Sequence, residues 1–325
     1  MSRQRDVRIL VLAAIAGLAL LPAGGCANRQ RAVALYVDAV ELRELNDSDR
    51  AITKLNQATR VDKRFSLAQS LLGEIYEQKK DYQRSAAAYG AATRLNPWSF
   101  KDYFSLGRVY QTMKEFSLAV KAYRRATELK PNSFEANFKT AESLYQLTDY
   151  NQALLYGKRA EKINANAEEL HQLLGNIYDS QKDYEQAVRS YKRAMEMDSN
   201  DTGVMMSLAV AYLRTKRTEP AKELFTIVTQ MQPENSSAYQ YIGYCYLQLD
   251  DVNQAIDNYR QAIKINSQDW EAYRGLGVAY MTKAAAENDK ELQAQAVELW
   301  RQSLSIKPDQ PKRDRLTKLI EKYSK

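Results

Sequence analysis

A 34-residue period in the placement of small residues constrains this chain more than any other feature of its sequence. A Gly or Ala recurs at this interval along most of the chain, at Ala39, Gly73, Gly107, Ala141, Gly175, Ala209, Gly243 and Gly277. Three residues after each of these small residues comes a large one, at Leu42, Tyr76, Tyr110, Leu144, Tyr178, Tyr212, Tyr246 and Tyr280. A period that holds at several positions at once is typical of an array of similar supersecondary units.

The second half of each unit repeats in the same register. A small residue, a large residue four positions later and another small residue recur in most units, as in Ala119, Tyr123 and Ala126. Apolar residues within each half fall three and four positions apart, which is helical periodicity. Proline, which cannot continue a helix with normal hydrogen bonding, closes four of the units. Each unit is therefore predicted to be two helices joined by a short polar link such as Lys80-Asp81.

This pattern resembles the tetratricopeptide repeat family, and the resemblance covers residues 32–310. The eight units are 32–65, 66–99, 100–133, 134–167, 168–201, 202–235, 236–269 and 270–310, the last with seven additional residues. The resemblance implies an all-α fold, a right-handed superhelical solenoid of helix-turn-helix units. One hairpin cannot bury its own apolar face, so neighbouring units must stack. One elongated array is therefore expected instead of the two domains that 325 residues suggest. An amphipathic segment, 311–325, is predicted to be a capping helix; a lipid-binding helix is the alternative.

The first 25 residues have the pattern of a secretory signal and are not expected to belong to the fold. Three Arg precede an uncharged run, 9–21, which is too short for a hydrocarbon core of about 30 Å. A basic start, an apolar run and small residues before Cys26 form a signal peptide. The segment resembles the lipobox of bacterial lipoproteins, although Ala23 stands where that family usually has Leu. The resemblance implies acylation of Cys26 at the mature N-terminus; an ordinary signal peptide is the alternative.

Lipidation at Cys26 would place the chain on a membrane, with residues 26–31 as a short tether. Five residues between the anchor and Ala32 reach at most about 17 Å when extended. The first repeat is then expected close to the bilayer, with Arg29 and Arg31 facing the headgroups. In enterobacterial lipoproteins an Asp after the Cys resembles an inner-membrane retention signal, so Ala27 favours the outer membrane, facing the periplasm.

Composition and motifs give no support for an enzyme. The chain has a single His against 22 Tyr, and His171 occupies a repeat position that holds Tyr in other units, so it is predicted to pack. A zinc site with two His is therefore impossible. Cys245 is also predicted to pack, and with Cys26 lipidated it has no partner for a disulfide. No phosphate loop or nucleophile elbow is present. We predict no catalytic residue, no metal and no cofactor.

The net charge gives no reason to expect a nucleic acid partner. Removing the signal takes three Arg and one Asp from a chain of charge +7 and leaves +5, spread along the sequence. Nucleic-acid binding requires a concentrated basic patch. The mildly basic surface is therefore interpreted as a solvated one.

The predicted function depends on a groove. In the tetratricopeptide repeat family the first helices of successive units line a concave groove, and the resemblance implies which side chains are exposed there. A polar row comprises Glu74, Arg108, Glu142, Tyr145 and Asn176. An apolar row comprises Met206, Val210, Leu213, Tyr241, Tyr244, Leu247, Val278 and Met281. Contiguous apolar surface usually marks an interaction site, so the apolar row is predicted to bind a partner. The alternatives are that these residues belong to the core, or that the capping helix or a second copy covers them.

These features predict a non-enzymatic scaffold that binds envelope proteins or extended peptides. Its architecture resembles that of the repeat-containing outer-membrane lipoproteins that act as pilotins in secretin and pilus assembly or organise cell-wall hydrolases. The alternative is an auxiliary subunit of cell-wall or polysaccharide synthesis or export. Exposed Trp would favour glycan binding, but Trp98, Trp270 and Trp300 are predicted to be packing residues. A cytoplasmic cochaperone would require the N-terminal signal to be misread.

Overall fold

The computed structural model describes residues 23–324, which form seventeen α-helices and no strand. The helices are α1 (Ala23–Glu44), α2 (Ser48–Val61), α3 (Ser66–Gln78), α4 (Tyr82–Leu95), α5 (Phe100–Thr112), α6 (Phe116–Leu129), α7 (Phe134–Gln146), α8 (Tyr150–Ile163), α9 (Glu168–Ser180), α10 (Tyr184–Met197), α11 (Thr202–Arg214), α12 (Thr218–Met231), α13 (Ser236–Gln248), α14 (Val252–Ile265), α15 (Trp270–Glu287), α16 (Lys290–Ile306) and α17 (Arg313–Tyr323). The all-α fold of helical hairpins is confirmed. The predicted signal, residues 1–22, lies outside the described residues, as does the side chain of Cys26.

Each of the eight sequence units corresponds to one helical hairpin. Unit 66–99, for example, holds α3 and α4 and the links that follow them. The seven additional residues of the last unit lengthen both of its helices, so that α15 has 18 residues and α16 has 17, against 13 and 14 in the preceding hairpin. At the other end, α1 begins before the first unit. Residues 26–31, predicted as a tether, are therefore helical and not extended.

The helices fall into two compact units, with the boundary between Asn164 and Ala165. The N-terminal unit holds the four hairpins α1 to α8, and the C-terminal unit holds four hairpins and α17. The uniform 34-residue period predicts a single array and contains no sign of this division. The hairpin before the boundary is the one in which Gly157 takes the place of the large residue of α8.

The turn inside the first seven hairpins ends the first helix in the same way. In the second hairpin the amide of Lys80 donates to the carbonyl of Glu77, and the amide of Asp81 donates to that of Tyr76. This pair of bonds satisfies the last carbonyls of α3 and requires a left-handed residue, here Lys80 at φ 60°. The Asp81 side chain then accepts from the amide of Arg84 and caps α4. Three residues thus end one helix and start the next.

The same left-handed turn recurs at the repeat interval in the described chain. Positive φ angles occur at Asn46, Lys80, Lys114, Thr148, Lys182, Lys216 and Asp250. Since the turn geometry is constant, the two helices of each of these hairpins leave the turn in the same way. The side chains that face each other are therefore fixed by their register.

The small residue of the first helix faces a large ring of the second helix. A Cβ placed on the glycine would lie 2.5–3.0 Å from ring atoms of the partner in five hairpins. The pairs are Gly73 and Tyr89, Gly107 and Tyr123, Gly175 and Tyr191, Gly243 and Tyr259, and Gly277 and Trp300. All five rings are buried. The repeated glycine is therefore required by close approach of the ring to the helix backbone.

Successive hairpins share their cores within each unit. One cluster joins Ala86 and Tyr89 of the second hairpin to Leu106, Val109 and Ala122 of the third. A second cluster in the C-terminal unit joins residues of α14 to residues of α15 and α16. This continuity supplies the apolar surface that a single hairpin lacks.

The last helix, α17, packs on α16 at the end of the C-terminal unit. Leu316 is its buried residue, while Leu319, Ile320 and Tyr323 are half-buried. The helix is held at both ends, since Gln293 donates to the carbonyl of Tyr323 at 3.4 Å and Arg274 donates to that of Pro311 at 3.3 Å. The apolar side of the predicted amphipathic helix is thus the side of α17 that faces the fold.

Replacing Gly107 by Ala tests the contact between the glycine and the ring. The new Cβ would lie 2.6 Å from a carbon of the fully buried Tyr123 ring, and relief of such overpacking costs about 1–3 kcal/mol. We expect a lower Tm in thermal unfolding followed by circular dichroism.

Gly90→Ala is the matched control. Gly90 lies inside α4, and an added Cβ would meet its nearest atom, Nη1 of Arg94, at 3.6 Å, an ordinary contact. Because glycine in a helix interior costs about 0.5–1 kcal/mol relative to Ala, this variant should be as stable as the wild type or more so. Equal Tm changes in both variants would contradict the argument.

Candidate interaction groove of the C-terminal unit

A cleft of about 650 Å³ lies in the C-terminal unit between α13, α15 and α17. Its apolar wall includes Tyr244 and Leu247 of α13, Val278 of α15, and Leu316 and Leu319 of α17. The rings of Tyr259 and Trp300, which already contact glycines inside their hairpins, form its base. The cleft is thus built on the repeated ring contacts of two consecutive hairpins.

Three residues of the predicted apolar row line this cleft. Tyr244 and Val278 are 41% and 43% exposed, respectively, and Leu247 is half-buried. Tyr244 and Val278 occupy the same repeat position, one unit apart, on α13 and α15. Exposed apolar side chains at matching positions of consecutive helices form a surface that a partner can cover.

The other five residues of that row do not line the cleft. Tyr241 stacks on Phe225 with ring centroids 4.9 Å apart and planes 5° from parallel, and burial raises the pKa of its phenol. Met206 packs beside Val228 and Ala238, and Met281 packs on the cluster of α14 to α16. Val210 and Leu213 are half-buried. Tyr241, Met206 and Met281 therefore contribute to contacts between helices, and Tyr244, Leu247 and Val278 are the residues of the predicted row that line the cleft.

The capping helix supplies the part of the cleft that sequence reasoning missed. Leu316 and Leu319 of α17, together with Lys312 and Arg315, form one side of it. The amphipathic character of α17 predicts a cap, with cover over the apolar row as an alternative, but not a wall of an open cleft. This second role depends on where the helix lies beside α13 and α15, which no local pattern contains.

Basic groups outnumber acidic ones along the cleft. Arg274, Lys312 and Arg315 line it with Asp250 and Glu271. The Arg274 guanidinium lies 4.9 Å from the centroid of the Trp270 ring, so this cation is held by the protein itself. Within the described residues neither Lys312 nor Arg315 forms an ion pair. These two cations are available to a carboxylate of a partner.

The predicted polar row lies largely in the N-terminal unit and is internally paired. Glu74 forms ion pairs with Arg43, at 3.1 Å, and with Lys101. Arg108 pairs with Glu77 at 2.8 Å. These charges neutralise one another from helix to helix. They leave less uncompensated charge for a ligand than the sequence row suggests.

The remaining polar-row residues are also engaged. Glu142 accepts from Gln111 at 2.6 Å and from Lys139 at 2.8 Å. The Tyr145 ring contacts the Tyr150 ring at 5.7 Å. Asn176 belongs to the C-terminal unit, where it accepts the hydroxyl of Tyr191 at 2.7 Å. A second cavity of about 710 Å³ is lined by the ion-paired Glu74, Glu77, Lys101 and Arg108 together with Tyr89, Phe100 and Phe104.

The three tryptophans do not share one environment. Trp300 is buried against Gly277, and Trp270 is half-buried beside Arg274 and Lys307. Trp98 is 76% exposed in the link between α4 and α5. The prediction that it packs is therefore wrong. Trp98 lies in a link and does not make the contact between a ring and a glycine that buries Trp300.

His171 and Cys245 are packing residues, as predicted. His171 is buried, with Nε2 2.8 Å from the carbonyl oxygen of Ala165. Cys245 is fully buried, and burial raises the pKa of its thiol to about 12. Residues 23–324 contain no group of three or more His, Cys, Asp or Glu side chains placed to hold a metal ion. In the same range, no helix has the length and apolar character needed to cross a membrane.

Two family models match the sequence. One, described as a tetratricopeptide repeat, matches residues 36–97, 104–168 and 243–311, about three fifths of the chain. The other, described as the TPR domain of cytochrome c-type biogenesis protein H, matches residues 161–273. Among curated proteins no match was found.

Solved structures share the fold at low sequence identity. The structure of YrrB, described as a TPR protein with an unusual peptide-binding site, is 20% identical with a TM-score of 0.53, over 57% of this chain and 96% of that one. The C-terminal part of a TPR repeat-containing protein from Cytophaga hutchinsonii is 15% identical with a TM-score of 0.59, over 75% and 97%. Pseudomonas aeruginosa pilF is 19% identical with a TM-score of 0.52, over 65% and 96%. These likenesses concern the fold alone.

Charged substitutions at two neighbouring tyrosines should separate the cleft from the core. Tyr241→Glu removes the stack on Phe225 and introduces a second carboxylate near Glu271, so we expect a loss of about 2 kcal/mol or more and a lower Tm. Tyr244→Glu affects an exposed side chain and should cost about 1 kcal/mol or less. Thermal unfolding of the two variants side by side measures the difference. A large loss at Tyr244 would assign it to the core.

Cys245 should be unreactive in the folded chain. The thiolate is the reacting form, and a pKa of about 12 leaves the thiol almost wholly protonated at pH 8. In a Cys26→Ser background, we expect slow labelling by a disulfide reagent at pH 8 and rapid labelling in denaturant, where the pKa returns to about 8.5. Equal labelling rates in both conditions would contradict the burial of this residue.

Proposed function

The chain belongs to the tetratricopeptide repeat family, and on that premise we propose that it is a non-enzymatic adaptor that holds an apolar segment of a partner protein in its C-terminal cleft. The observation that carries this proposal is the exposure of Tyr244 and Val278, side by side in a cleft with Leu247, Leu316 and Leu319. The tetratricopeptide repeat is generally an interaction fold and not a catalytic one, which agrees with the burial of His171 and Cys245.

The chemistry of the cleft favours a peptide with apolar side chains. Burying an aliphatic or aromatic side chain contributes about 1.5–3 kcal/mol, so two or three such contacts support a specific complex. Tyrosine suits this role because its ring covers a large area and loses few rotamers on binding. Lys312 and Arg315 at one side of the cleft favour a carboxylate next to the apolar residues of the partner.

The same proposal includes attachment to a bacterial membrane through an acylated Cys26. The basic start, the uncharged run and the small residues before Cys26 support this attachment. Ala27 favours the outer membrane over the inner membrane. An adaptor fixed at its N-terminus can present the C-terminal cleft to envelope proteins. Partners of a secretin or pilus machine, or of cell-wall or polysaccharide synthesis and export, are the classes that this arrangement would serve.

A photocrosslinking amino acid placed in the cleft tests partner binding. In cells that express the full chain, the photoreactive residue at position 244 should crosslink to a discrete partner. The same residue at position 227 is the matched control, since Ile227 is 40% exposed on α12 and lies outside the cleft. Val278→Glu should lower crosslinking from position 244 at least tenfold, because it replaces an apolar contact with the partner by a carboxylate, whose burial is unfavourable. Ile227→Glu should leave it unchanged.

Two results would overturn the cleft as the binding site. One is equal crosslinking from positions 244 and 227, and the other is crosslinking from position 244 that survives Val278→Glu. Mass spectrometry of the crosslinked product identifies the partner. A secretin or pilus component, a hydrolase or a synthase would then decide between the pathways.

Mass spectrometry of the mature N-terminus tests membrane attachment separately. We expect an N-terminal peptide that begins at Cys26 and carries acyl chains. Cys26→Ser should leave the protein unacylated and release it from membranes in flotation. A chain that retains Met1, or one cleaved with an unmodified Cys26, would disprove the lipid anchor and leave the cleft unaffected.

A further inference from the structure

Trp98 departs from the repeat pattern and remains 76% exposed, although the Arg125 guanidinium lies 5.5 Å from the centroid of its ring. The other units place a polar residue at its position, namely Arg64, Asn132, Asn166, Asn200, Glu234 and Gln268. Leu45 is similarly exposed, but its repeat position also holds apolar residues in Met113 and Leu147. Trp98 is therefore an exposed indole at a repeat position that is polar in the other units.

A second apolar residue departs from the pattern at the neighbouring link. Leu67 is exposed in the first turn of α3, at a position where the later units hold Lys101, Glu135, Glu169, Gly203, Ser237 and Glu271. Leu67 lies beside the link between α2 and α3, and Trp98 lies in the link between α4 and α5. Links between hairpins in a stacked array lie along the same side, so both residues belong to that side of the N-terminal unit.

The same side of this unit is basic. We call residues 60–67 and 94–101 the basic edge. It carries five cations and one anion, namely Arg60, Lys63, Arg64, Arg94, Lys101 and Asp62. Asp62 is paired with Arg29 at 3.3 Å and Lys101 with Glu74. Among the described residues, Arg60, Lys63, Arg64 and Arg94 are exposed and take part in no ion pair. The next link, 128–135, has two Glu and one Lys, so the basic edge ends there.

The corresponding links of the C-terminal unit have the opposite charge. Residues 196–203, 230–237 and 264–271 carry one cation, Lys264, and six anions. The pKa of Glu168 is raised by burial and by the neighbouring carboxylates of Asp198 and Asp201. The positive charge of the first two links is therefore specific to the N-terminal unit.

The basic edge also contacts α1, the first helix of the described residues. Arg29 in the first turns of α1 contacts Asp62 in the link between α2 and α3, at 3.3 Å. Cys26 precedes Arg29 by three residues, and both lie in α1, where three residues rise only about 4.5 Å. A membrane anchor at Cys26 would hold this edge against the headgroups.

We propose that the basic edge of the N-terminal unit lies on an anionic lipid surface, with Trp98 inserted at the interface. The proposal rests on the membrane attachment given above and adds the orientation of the protein on the bilayer. The apolar ring of tryptophan and its N–H group suit the boundary between headgroups and acyl chains. Cations near an anionic surface each contribute about 1 kcal/mol, and Leu67 adds apolar area next to them.

Quenching by brominated lipids tests this orientation. The full chain is purified from bacterial membranes and reconstituted into vesicles of phosphatidylcholine and phosphatidylglycerol, with or without brominated acyl chains. We expect brominated lipid to quench part of the tryptophan emission, and Trp98→Phe to abolish that quenching. Trp270→Phe is the matched control and should leave the quenching in place, since Trp270 belongs to the C-terminal unit.

A pair of charge reversals tests the electrostatic part. Lys63→Glu with Arg64→Glu should reduce the quenching of Trp98 on anionic vesicles. Lys80→Glu with Lys114→Glu reverses two exposed cations in the turns inside hairpins. This double variant should leave the quenching of Trp98 unchanged. Equal effects of the two double variants would overturn the role of the basic edge.

Flotation of the same samples separates this proposal from the anchor itself. A chain that floats with the vesicles while Trp98 remains unquenched would overturn the orientation and leave the anchor standing. Crosslinking from a photoreactive residue at position 98 to a protein, without lipid quenching, would also overturn it, because the occupant would then be a protein. A chain that does not float would disprove the membrane attachment on which the proposal rests.

Discussion

The close approach of an aromatic ring to a helix backbone is the contact on which the rest of this structure depends. A glycine in the first helix of a hairpin leaves room for a Tyr or Trp ring from the second, and an added Cβ would overlap that ring by several tenths of an ångström. In the first seven hairpins the same left-handed turn after the first helix keeps the two residues in register. The buried rings then fill the space between helices, and in the last two hairpins Tyr259 and Trp300 also form the base of the cleft.

Most side chains are committed to packing or to ion pairs, and this explains why two surfaces, the cleft and the basic edge, differ from the rest. The residues that hold hairpins together are committed to packing, and the polar residues of the N-terminal unit are committed to one another, as Arg108 is to Glu77 at 2.8 Å. Among the exposed apolar side chains, Tyr244 and Val278 lie beside α17, and Trp98 lies among basic neighbours. Each lies where a repeat position holds a residue that the hairpin does not need.

Sequence reasoning located the hairpins well because the period acts on every unit at once. It also placed His171 and Cys245 correctly, since both are buried inside their hairpins. It did not show that Tyr241 stacks on Phe225 or that Met206 packs beside Val228. The family position of a side chain predicts which way it faces, but not which neighbouring side chains contact it. Sequence reasoning failed at Trp98, since a large aromatic residue was assumed to be buried.

The 34-residue pattern by itself determined the all-α fold, the number of hairpins and the exclusion of a two-His metal site, because each follows from local periodicity or from residue counts. Only the tertiary structure decided that the chain packs as two compact units, that α17 is one wall of the cleft and that Trp98 points into solvent. These features depend on distances between residues far apart in the chain. A repeat constrains such distances within a hairpin, where the turn is constant, and much less where a terminal helix or an exceptional residue interrupts the pattern.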